Sequence, residues 1–552
     1  MMTMNFPKGS LVCLFWLAAV FQVRSAQWQW SLAVTNSREN PGAARAWLWI
    51  PPNCERVRGA VVSQHNMEEI SILENPKFRA ALAELNFAEI WVAPPFDHLF
   101  RFNEGAGETF NAMMDGLAEE SGYAELKFAP VVPMGHSAAA SGPYYFAAWN
   151  PGRALAALSV SGQWPYFRNP DFAPDIWGGR NIDFVPCLES MGEYESANDW
   201  SREGLLERQQ HPNIPLSMLA NPGQGHFASS DGKVEYLALY IKKAAQYRAP
   251  KNWDAASAPE LIPIDPTKTG WLADKWRLNQ PPSAPAAPIG EYKGDPKQAF
   301  WFFDKELAEA TEKYESAYRD LKPQLVGYVQ DGNMVAQKSS HLQVDLNFEP
   351  EADGVTFKLS SAFYDAVPPG SPRLPQWTGL PVNSPLGHAS RGKISIDRIC
   401  GPFEKVSPDT FRVCFQKETP LVTNGRPYEL VFAATHPGDA EFKPAVQQAH
   451  MFIPARNTEG AEQHIIFPEI PAQKAGTESI SLLATSDSGR KVCFYVREGP
   501  AEADGDVLRF ARIPPRAKFP VPVTVVAWQF GSAVGPKWKT AAPVERKFYL
   551  TK

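Results

Sequence analysis

Residues 27 to about 250 alternate between continuous apolar runs and amphipathic stretches. The apolar runs are short and rich in β-branched residues, as in "GAVVSQHN", "AEIWVAPP" and "APVVPMGHS". Amphipathic stretches such as "NPKFRAALAELNF" repeat with a helical period. Strands that are buried on both faces of a parallel sheet read as uninterrupted apolar runs, because helical crossovers cover both sides. The pattern therefore predicts an α/β domain over residues 26–250, with a mostly parallel sheet and helices on both faces.

The pattern changes after residue 250. Residues 251–324 begin rich in Pro and Ala and continue with "DPKQAFWFFDKELAEATEKYESAYRDLKP". This predicts a semi-rigid connector followed by one helix that ends at Pro323. Beyond residue 325, short segments alternate apolar and polar residues between clusters of turn-forming residues. That alternation predicts a β-sandwich domain over residues 325–455 and a second one over residues 456–552.

The first 25 residues have the pattern of a secretory signal. Lys8 precedes the apolar run "LVCLFWLAAVF", and small residues follow near Ser25. About a dozen apolar residues are too few to span a bilayer. We therefore expect a cleavable signal peptide over residues 1–25, a secreted or periplasmic protein, and no integral membrane span after cleavage.

Composition narrows the function classes. A chain of 552 residues with 44% hydrophobic residues forms several packed domains, and a formal charge of −6 gives no reason to expect a nucleic-acid partner. No His and Cys spacing typical of a metal site and no phosphate-cradling glycine loop occurs, so we expect neither a metal nor a cofactor. Outside the signal the cysteines are five and sparse. Cys400 and Cys414 flank a predicted hairpin; unpaired thiols are favoured, and a disulfide between them stays open.

The candidate chemistry begins at "VVPMGHSAAASG". Ser137 lies between an apolar strand and a helix, where a serine acts either as a helix N-cap or as a nucleophile on a sharp turn. The sharp turn requires small residues two positions away on each side, because strand and helix backbones nearly touch. Gly135 and Ala139 supply them, giving the motif G-x-S-x-A.

Two later segments offer the partners that a serine nucleophile needs. "IPLSMLANPGQGHFASS" places His226 in a Gly-rich loop after an apolar strand, where an imidazole can accept the serine proton. "VPCLESMGEYESAND" places Glu193 and Glu195 after the preceding strand, where a carboxylate can orient that imidazole. The order Ser, acid, His is the order that an α/β sheet of this topology requires.

These three pieces resemble the α/β-hydrolase superfamily. "GHSAA" resembles its nucleophile elbow, "VPCLESMGEYE" its acid-bearing strand and "PGQGHF" its histidine loop. The resemblance covers residues 27 to about 250 and implies an α/β-hydrolase fold with the catalytic triad Ser137, Glu195 and His226. Glu193 and Asp199 remain alternative acids.

The same resemblance implies an oxyanion hole and a binding loop. One backbone donor is expected from Ala138 and a second from Asn66, in the loop after the third strand. Residues 161–179 occupy the place where the family inserts its cap. Trp164 and Tyr166 are the candidate substrate-binding residues there, although most aromatic rings in this loop are expected to pack it onto the domain. Since no large lid fits between the strands, we expect a fairly open cleft.

The residues predict a secreted serine hydrolase, most simply a carboxylic-ester hydrolase that works through an acyl-enzyme. Its substrate is expected to be a small or polysaccharide-linked ester, for example an acylated carbohydrate. One alternative is a peptidase similar to the prolyl-oligopeptidase branch. Another is a non-catalytic binding or cell-surface protein on a hydrolase scaffold. The C-terminal domain resembles a bacterial immunoglobulin-like repeat through "IIFPEIP", "SISLLATSDSGRKVCFYVREGPA" and "VTVVAWQFGS".

Overall fold

A computed structural model describes residues 28–552 of the chain, apart from residues 168–174, 196, 228–229, 255, 338–342, 371–372 and 423–424. The predicted signal peptide lies outside the described residues. Within them, no helix combines the length and the apolar character needed to cross a bilayer.

The described residues of the N-terminal domain form eight strands and six α-helices. The strands are β1 (Trp30–Ala33), β2 (Arg45–Trp49), β3 (Gly59–Gln64), β4 (Phe87–Val92), β5 (Val131–His136), β6 (Ala157–Val160), β7 (Cys187–Gly192) and β8 (Leu216–Asn221). The helices are α1 (Glu69–Leu73), α2 (Pro76–Leu85), α3 (Ala106–Ser121), α4 (Gly142–Trp149), α5 (Ala197–Gln210) and α6 (Asp231–Arg248). Local signals set several boundaries. Asn75 caps α2 by accepting the Lys77 N–H at 2.9 Å, and Asn86 ends the helix in the left-handed region.

The eight strands form one sheet in the order β1-β2-β4-β3-β5-β6-β7-β8. Strand β2 runs antiparallel to both of its neighbours, β1 and β4. The remaining strands, in the order β4-β3-β5-β6-β7-β8, pair in parallel. The six residues of β4, β5, β7 and β8 are all buried, as their apolar runs predicted. The α/β-hydrolase fold is therefore confirmed, and its carboxyl edge gathers the loops that follow β3, β5, β7 and β8.

The region after α6 is more structured than the sequence predicted. Three short strands, β9 (Trp271–Asp274), β10 (Ala287–Pro288) and β11 (Ala299–Phe302), form a small sheet, and helix α7 covers only Lys305–Glu315. The prediction of one helix through "AFWFFDKELAEATEKYESAYRDLKP" was wrong. Asp304 begins the helix by accepting the Leu307 N–H at 3.0 Å, so the aromatic residues before it are free to form a buried strand.

The rest of the chain is almost entirely β structure. The second domain contains β12 (Val326–Gln330), β13 (Asn333–Met334), β14 (Val344–Leu346), β15 (Thr356–Lys358), β16 (Ser360–Phe363), α8 (Arg373–Thr378), β17 (Ser395–Cys400), β18 (Phe403–Lys405), β19 (Thr410–Val413), β20 (Tyr428–His436) and β21 (Ala445–Ile453). The third contains β22 (Ile465–Ile466), β23 (Gln473–Lys474), β24 (Ser479–Ser481), β25 (Thr485–Ser486), β26 (Cys493–Glu498), β27 (Ala501–Asp504), β28 (Val507–Phe510), β29 (Val521–Trp528) and β30 (Val544–Thr551).

The second and third domains repeat one strand arrangement. The second contains the sheets β14-β21-β20-β17 and β15-β19-β18, and the third contains the matching sheets β23-β30-β29-β26 and β24-β28-β27. A further sheet, β13-β12-β16, belongs to the second domain, and the pair β22-β25 belongs to the third. In each larger sheet, the strand that comes first in the chain pairs in parallel with the strand that comes last: β14 with β21, and β23 with β30. The other pairs of these sheets are antiparallel. The β-sandwich prediction is confirmed for this part of the chain. The closer resemblance to an immunoglobulin-like repeat stays a prediction.

Both sandwiches pack against the hydrolase domain. In the third domain, the backbone carbonyl of Arg497 accepts the indole N–H of Trp47 from β2 at 3.0 Å, and the backbone N–H of Lys518 donates to the Ser121 carbonyl at 2.9 Å. The second domain lies instead over the carboxyl edge of the sheet. There its strands β17, β20 and β21 share a buried apolar cluster with Tyr194 and Phe227 of the hydrolase domain.

Cysteines 54, 187, 400, 414 and 493, those within the described residues, are unpaired. Burial raises the pKa of the Cys400 thiol to about 12, which keeps the thiol protonated. Cys400 and Cys414 therefore form no disulfide in this structure.

Candidate active site

Ser137 sits on a strained turn directly after the central strand β5. Its φ of +55° lies in the left-handed region, which a non-glycine residue seldom adopts. Gly135 permits the turn because an added Cβ would lie 2.1 Å from the backbone oxygen of Ala139. The serine begins a short 3₁₀ turn over Ser137–Ala139, and no side-chain cap bonds that turn. The geometry is that of a nucleophile elbow rather than an N-cap.

The structure brings the three predicted triad side chains together. Nε2 of His226 lies 2.8 Å from Oγ of Ser137, and Nδ1 of His226 lies 3.3 Å from Oε2 of Glu195. His226 is 5% exposed and the Glu195 side chain 7% exposed, so solvent reaches both groups only narrowly. The arrangement gives the serine a base within hydrogen-bond reach and gives the base an orienting carboxylate.

The two alternative acids have other partners. Oε1 of Glu193 lies 3.0 Å from Nζ of Lys443, and its Oε2 accepts the Gly223 N–H at 2.7 Å. Asp199 lies in α5, where its carboxylate is 3.7 Å from Arg202. Glu195 is the one of the three whose carboxylate the structure places at the imidazole.

The structure bears differently on the two expected oxyanion donors, Ala138 and Asn66. Ala138 follows Ser137 and is partly exposed, and its role as an oxyanion donor stays a prediction. The expectation for the Asn66 backbone must be corrected, because its N–H donates to Oε2 of Glu69 at 3.0 Å. The Asn66 side chain instead donates to the carbonyl of His136, the last residue of β5, at 3.1 Å. A second oxyanion donor on this loop therefore has to be a group other than the Asn66 N–H.

Glu69 organises the loop beneath the nucleophile. Its carboxylate accepts the N–H groups of Asn66, Met67 and His136 at 2.8–3.0 Å. The side chain is fully buried, and burial raises the pKa of Glu69 to about 7 even though these donors oppose the shift. Sequence reasoning missed Glu69, although "NMEE" places a carboxylate at the start of a helix, where it meets free N–H groups.

A buried polar group, the imidazole of His136, also bonds the backbone of His226. Nε2 of His136 lies 2.8 Å from the backbone oxygen of His226, and burial holds the pKa of His136 well below its usual range. A neutral His136 with its proton on Nε2 therefore donates to the His226 carbonyl. Glu68 lies 3.6 Å from the same nitrogen and forms a buried ion pair with Lys233 at 2.8 Å.

The aromatic loop after β6 buries one of the two predicted binding residues. Trp164 is 1% exposed; its ring stacks on Phe300 of β11 at 5.7 Å and its N–H donates to the Trp200 carbonyl at 3.0 Å. Tyr166 stacks on His211 at 3.6 Å. The buried Trp164 therefore packs the loop onto α5 and the small sheet, and its assignment as a substrate-binding residue was wrong. Tyr166 is partly exposed, and its assignment as a substrate-binding residue stays a prediction.

A cavity enclosing about 390 Å³ of empty space, mouth included, lies beside the nucleophile turn. Ala139 of that turn and Gly142 at the start of α4 form one wall, and the loop after β4 forms another. Apolar side chains contribute most of the lining: Val62, Phe96, Phe100, Phe110, Pro133, Met134, Pro143 and Phe146. The cavity suits an apolar group of modest size.

The cleft is not open as the sequence suggested. The second domain covers the loops that follow β3, β7 and β8, where Met67, Tyr194 and Phe227 pack against its apolar side chains.

The described residues contain no cluster of three His, Cys, Asp or Glu side chains able to hold a metal ion.

Comparison with known proteins gives the following results. No protein-family model matches the sequence, and no curated protein does. Among solved structures, Est1E from Butyrivibrio proteoclasticus is similar with 15% identity and a TM-score of 0.27, over 39% of this chain and 97% of that one. Dienelactone hydrolase from Anabaena variabilis is similar with 15% identity and a TM-score of 0.27, over 40% of this chain and 96% of that one. An S-formylglutathione hydrolase from Agrobacterium tumefaciens is similar with 13% identity and a TM-score of 0.29, over 39% of this chain and 94% of that one.

Proposed function

We propose that this protein is a secreted serine hydrolase that cleaves carboxylic esters. The observation that carries the proposal is the chain of contacts from Oγ of Ser137 through His226 to Glu195, built on an elbow with a φ of +55°. An N-cap serine would need neither the strained turn nor a buried imidazole at its oxygen.

In the proposed reaction His226 removes the proton from Ser137 as the oxygen attacks the ester carbonyl. The N–H of Ala138 stabilises the tetrahedral oxyanion together with a second donor. Protonated His226 then gives its proton to the leaving alcohol, which leaves an acyl group on Ser137. Water, deprotonated by His226, hydrolyses this acyl-enzyme and restores the serine. Glu195 orients the imidazole and stabilises its positive charge throughout.

The cavity beside Ala139 and Gly142 is the proposed site for the acyl group. Its lining is largely apolar, which favours short alkyl or aromatic acyl chains over charged ones. Acylated carbohydrates of small size fit this proposal, with the acyl group in the cavity and the sugar toward solvent. An ester series with a constant alcohol and acyl chains of increasing length measures the preference directly.

The decisive experiment is labelling of the purified protein with a fluorophosphonate probe, which reacts with activated serines. Wild type should label, Ser137→Ala should not, and His226→Ala should label at least about 10³-fold more slowly. Ester hydrolysis should be lost in parallel. If the folded wild-type protein does not label, the hydrolase mechanism is refuted and a non-catalytic binding role takes its place.

A pair of variants tests the choice of acid. Glu195→Gln keeps the shape of the side chain and removes the charge, so kcat should fall by about 10²–10⁴-fold with the fold intact. Glu193→Gln should lower stability through the lost pairing with Lys443, and the remaining folded protein should hydrolyse esters far better than Glu195→Gln does. The reverse order of the two kcat values would transfer the acid role to Glu193.

A further inference from the structure

Three loops at the carboxyl edge of the sheet, two of which carry Glu195 and His226, are joined to the second domain by one apolar cluster. Each loop contributes a side chain to it: Met67 from the loop after β3, Tyr194 from the acid loop and Phe227 from the histidine loop. The second domain provides the other side, including Leu325, Leu374, Trp377, Val431 and Val446. The ring of Tyr194 meets the Trp377 ring edge-on at 4.1 Å. The sandwich is therefore part of the packing that shapes these loops.

Strand β21 of that domain adds a polar contact to the catalytic histidine itself. The Gln448 amide lies against two backbone N–H groups of the histidine loop. Its Oε1 accepts the N–H of His226 at 3.3 Å. With the amide turned by 180°, which satisfies both of its ends, the oxygen accepts the N–H of His226 at 2.9 Å and that of Phe227 at 2.5 Å. Gln448 is buried. Gly225 makes the close approach possible, because a Cβ added there would lie 3.0 Å from the Gln448 amide.

Both backbone polar groups of His226 are thus hydrogen-bonded. Its N–H is bonded by Gln448 of the second domain, and its carbonyl accepts a hydrogen bond from His136 of β5 at 2.8 Å. These two hydrogen bonds fix the backbone of His226, and they thereby fix the position of the Cα atom from which the imidazole extends. Catalysis by a general base is sensitive to such placement, since a shift of about 1 Å can cost about 10²-fold in rate.

We infer that Gln448 is a positioning residue for the catalytic base, and that the second domain completes the active site of the hydrolase domain. The inference rests on the proposed function. It differs from a spacer or adhesion role for the sandwich, because a spacer has no contact with the catalytic histidine.

The test uses the full-length protein with Gln448→Ala, Gln448→Glu and the matched control Gln447→Ala. Gln447 is the buried neighbour on the same strand, and its side chain bonds Gln337 within the second domain. Gln448→Ala removes the acceptor, and kcat and the rate of fluorophosphonate labelling should fall about 10–100-fold with KM within about threefold. Gln448→Glu keeps an acceptor and adds a negative charge, so it should recover part of kcat and move the acidic limb of the pH profile upward.

Hydrogen exchange of the peptide that contains His226 and Phe227 provides a readout independent of catalysis. Protection there should be lost in Gln448→Ala and retained in Gln447→Ala. If Gln448→Ala labels at the wild-type rate, or if the two alanine variants lose activity equally, the positioning role is overturned while the proposed function stands. If the wild type does not label at all, the proposed function fails and the inference fails with it.

Discussion

The ion pair between Lys443 and Glu193 offers a quantitative test of how the second domain is fastened to the catalytic loops. Nζ of Lys443 lies 3.0 Å from Oε1 of Glu193, and the two side chains are 6% and 1% exposed. Replacing one partner leaves the other charge buried without its counterion, whereas replacing both removes the charges together. Substituting only one member of a buried pair costs about 3–5 kcal/mol, and removing both is often close to neutral.

Lys443→Met should therefore lower the free energy of unfolding by about 3–5 kcal/mol. The Glu193 carboxylate would keep the N–H of Gly223 at 2.7 Å as a partner, which places the expected loss toward the lower end of that range. In the double variant Glu193→Gln/Lys443→Met, the new amide oxygen can still accept this N–H and the methionine fills the volume of the lysine stem. The double variant should thus be more stable than Lys443→Met by about 1–3 kcal/mol.

The assay is a double-mutant cycle on denaturant unfolding, followed by tryptophan fluorescence. Trp377 lies in the same interface against Tyr194 and reports on its opening. Because the chain has several domains, the interface transition is fitted separately from the others. A loss below about 1 kcal/mol in Lys443→Met, or additive effects of the two substitutions, would refute the reasoning that this pair is buried and coupled.

Three further predictions concern the hydrolase domain. Trp164→Ala should cost about 3–5 kcal/mol of stability and leave KM for small esters within about twofold, because the ring packs the domain and does not line the site; a large rise in KM without destabilisation would contradict this. Gly135→Ala should slow labelling of Ser137 at least about 10²-fold while circular dichroism stays native, since the new Cβ collides with Ala139. Burial raises the pKa of Glu69 from 4.5 to about 7, so its protonated form is favoured in the folded state and stability falls as pH rises between these values. Glu69→Gln should flatten that decline in thermal unfolding measured from pH 5 to 8, and an unchanged slope would exclude Glu69 as its source.

The sequence predicted the hydrolase domain well because its signals are local. Each buried strand is a continuous apolar run, and each predicted triad residue follows its strand within a few positions. The elbow is the sharpest of these signals, since Gly135 and Ala139 meet a steric demand that acts within five residues. Strand order then brings distant loops to one sheet edge.

The errors concern side chains whose partners are distant in the chain. Trp164 is a plausible wall of a binding site until Phe300 stacks on it from β11. The segment "AFWFF" has helix-compatible spacing, and only its pairing with β9 makes it a strand. The Asn66 N–H would be free to donate to substrate if Glu69 did not turn back toward it. In each case the residue types indicated whether a side chain or backbone group would be apolar or polar, but they did not identify the group that it contacts.

The largest feature that no local pattern reveals is the second domain on the catalytic edge. Alternating strands predict a sandwich but say nothing of the face on which it packs. Yet the catalytic histidine is bonded through its carbonyl to a residue 90 positions earlier and through its N–H to one 222 positions later. Since a chain is synthesised and folds from its N-terminus, the hydrolase sheet can form before strand β21 exists. The base would then lack one of its two backbone anchors, and full activity would follow only once the second domain has folded against it. Under the proposed positioning role of Gln448, covering the carboxyl edge makes the β-sandwich a condition for full activity of the proposed hydrolase.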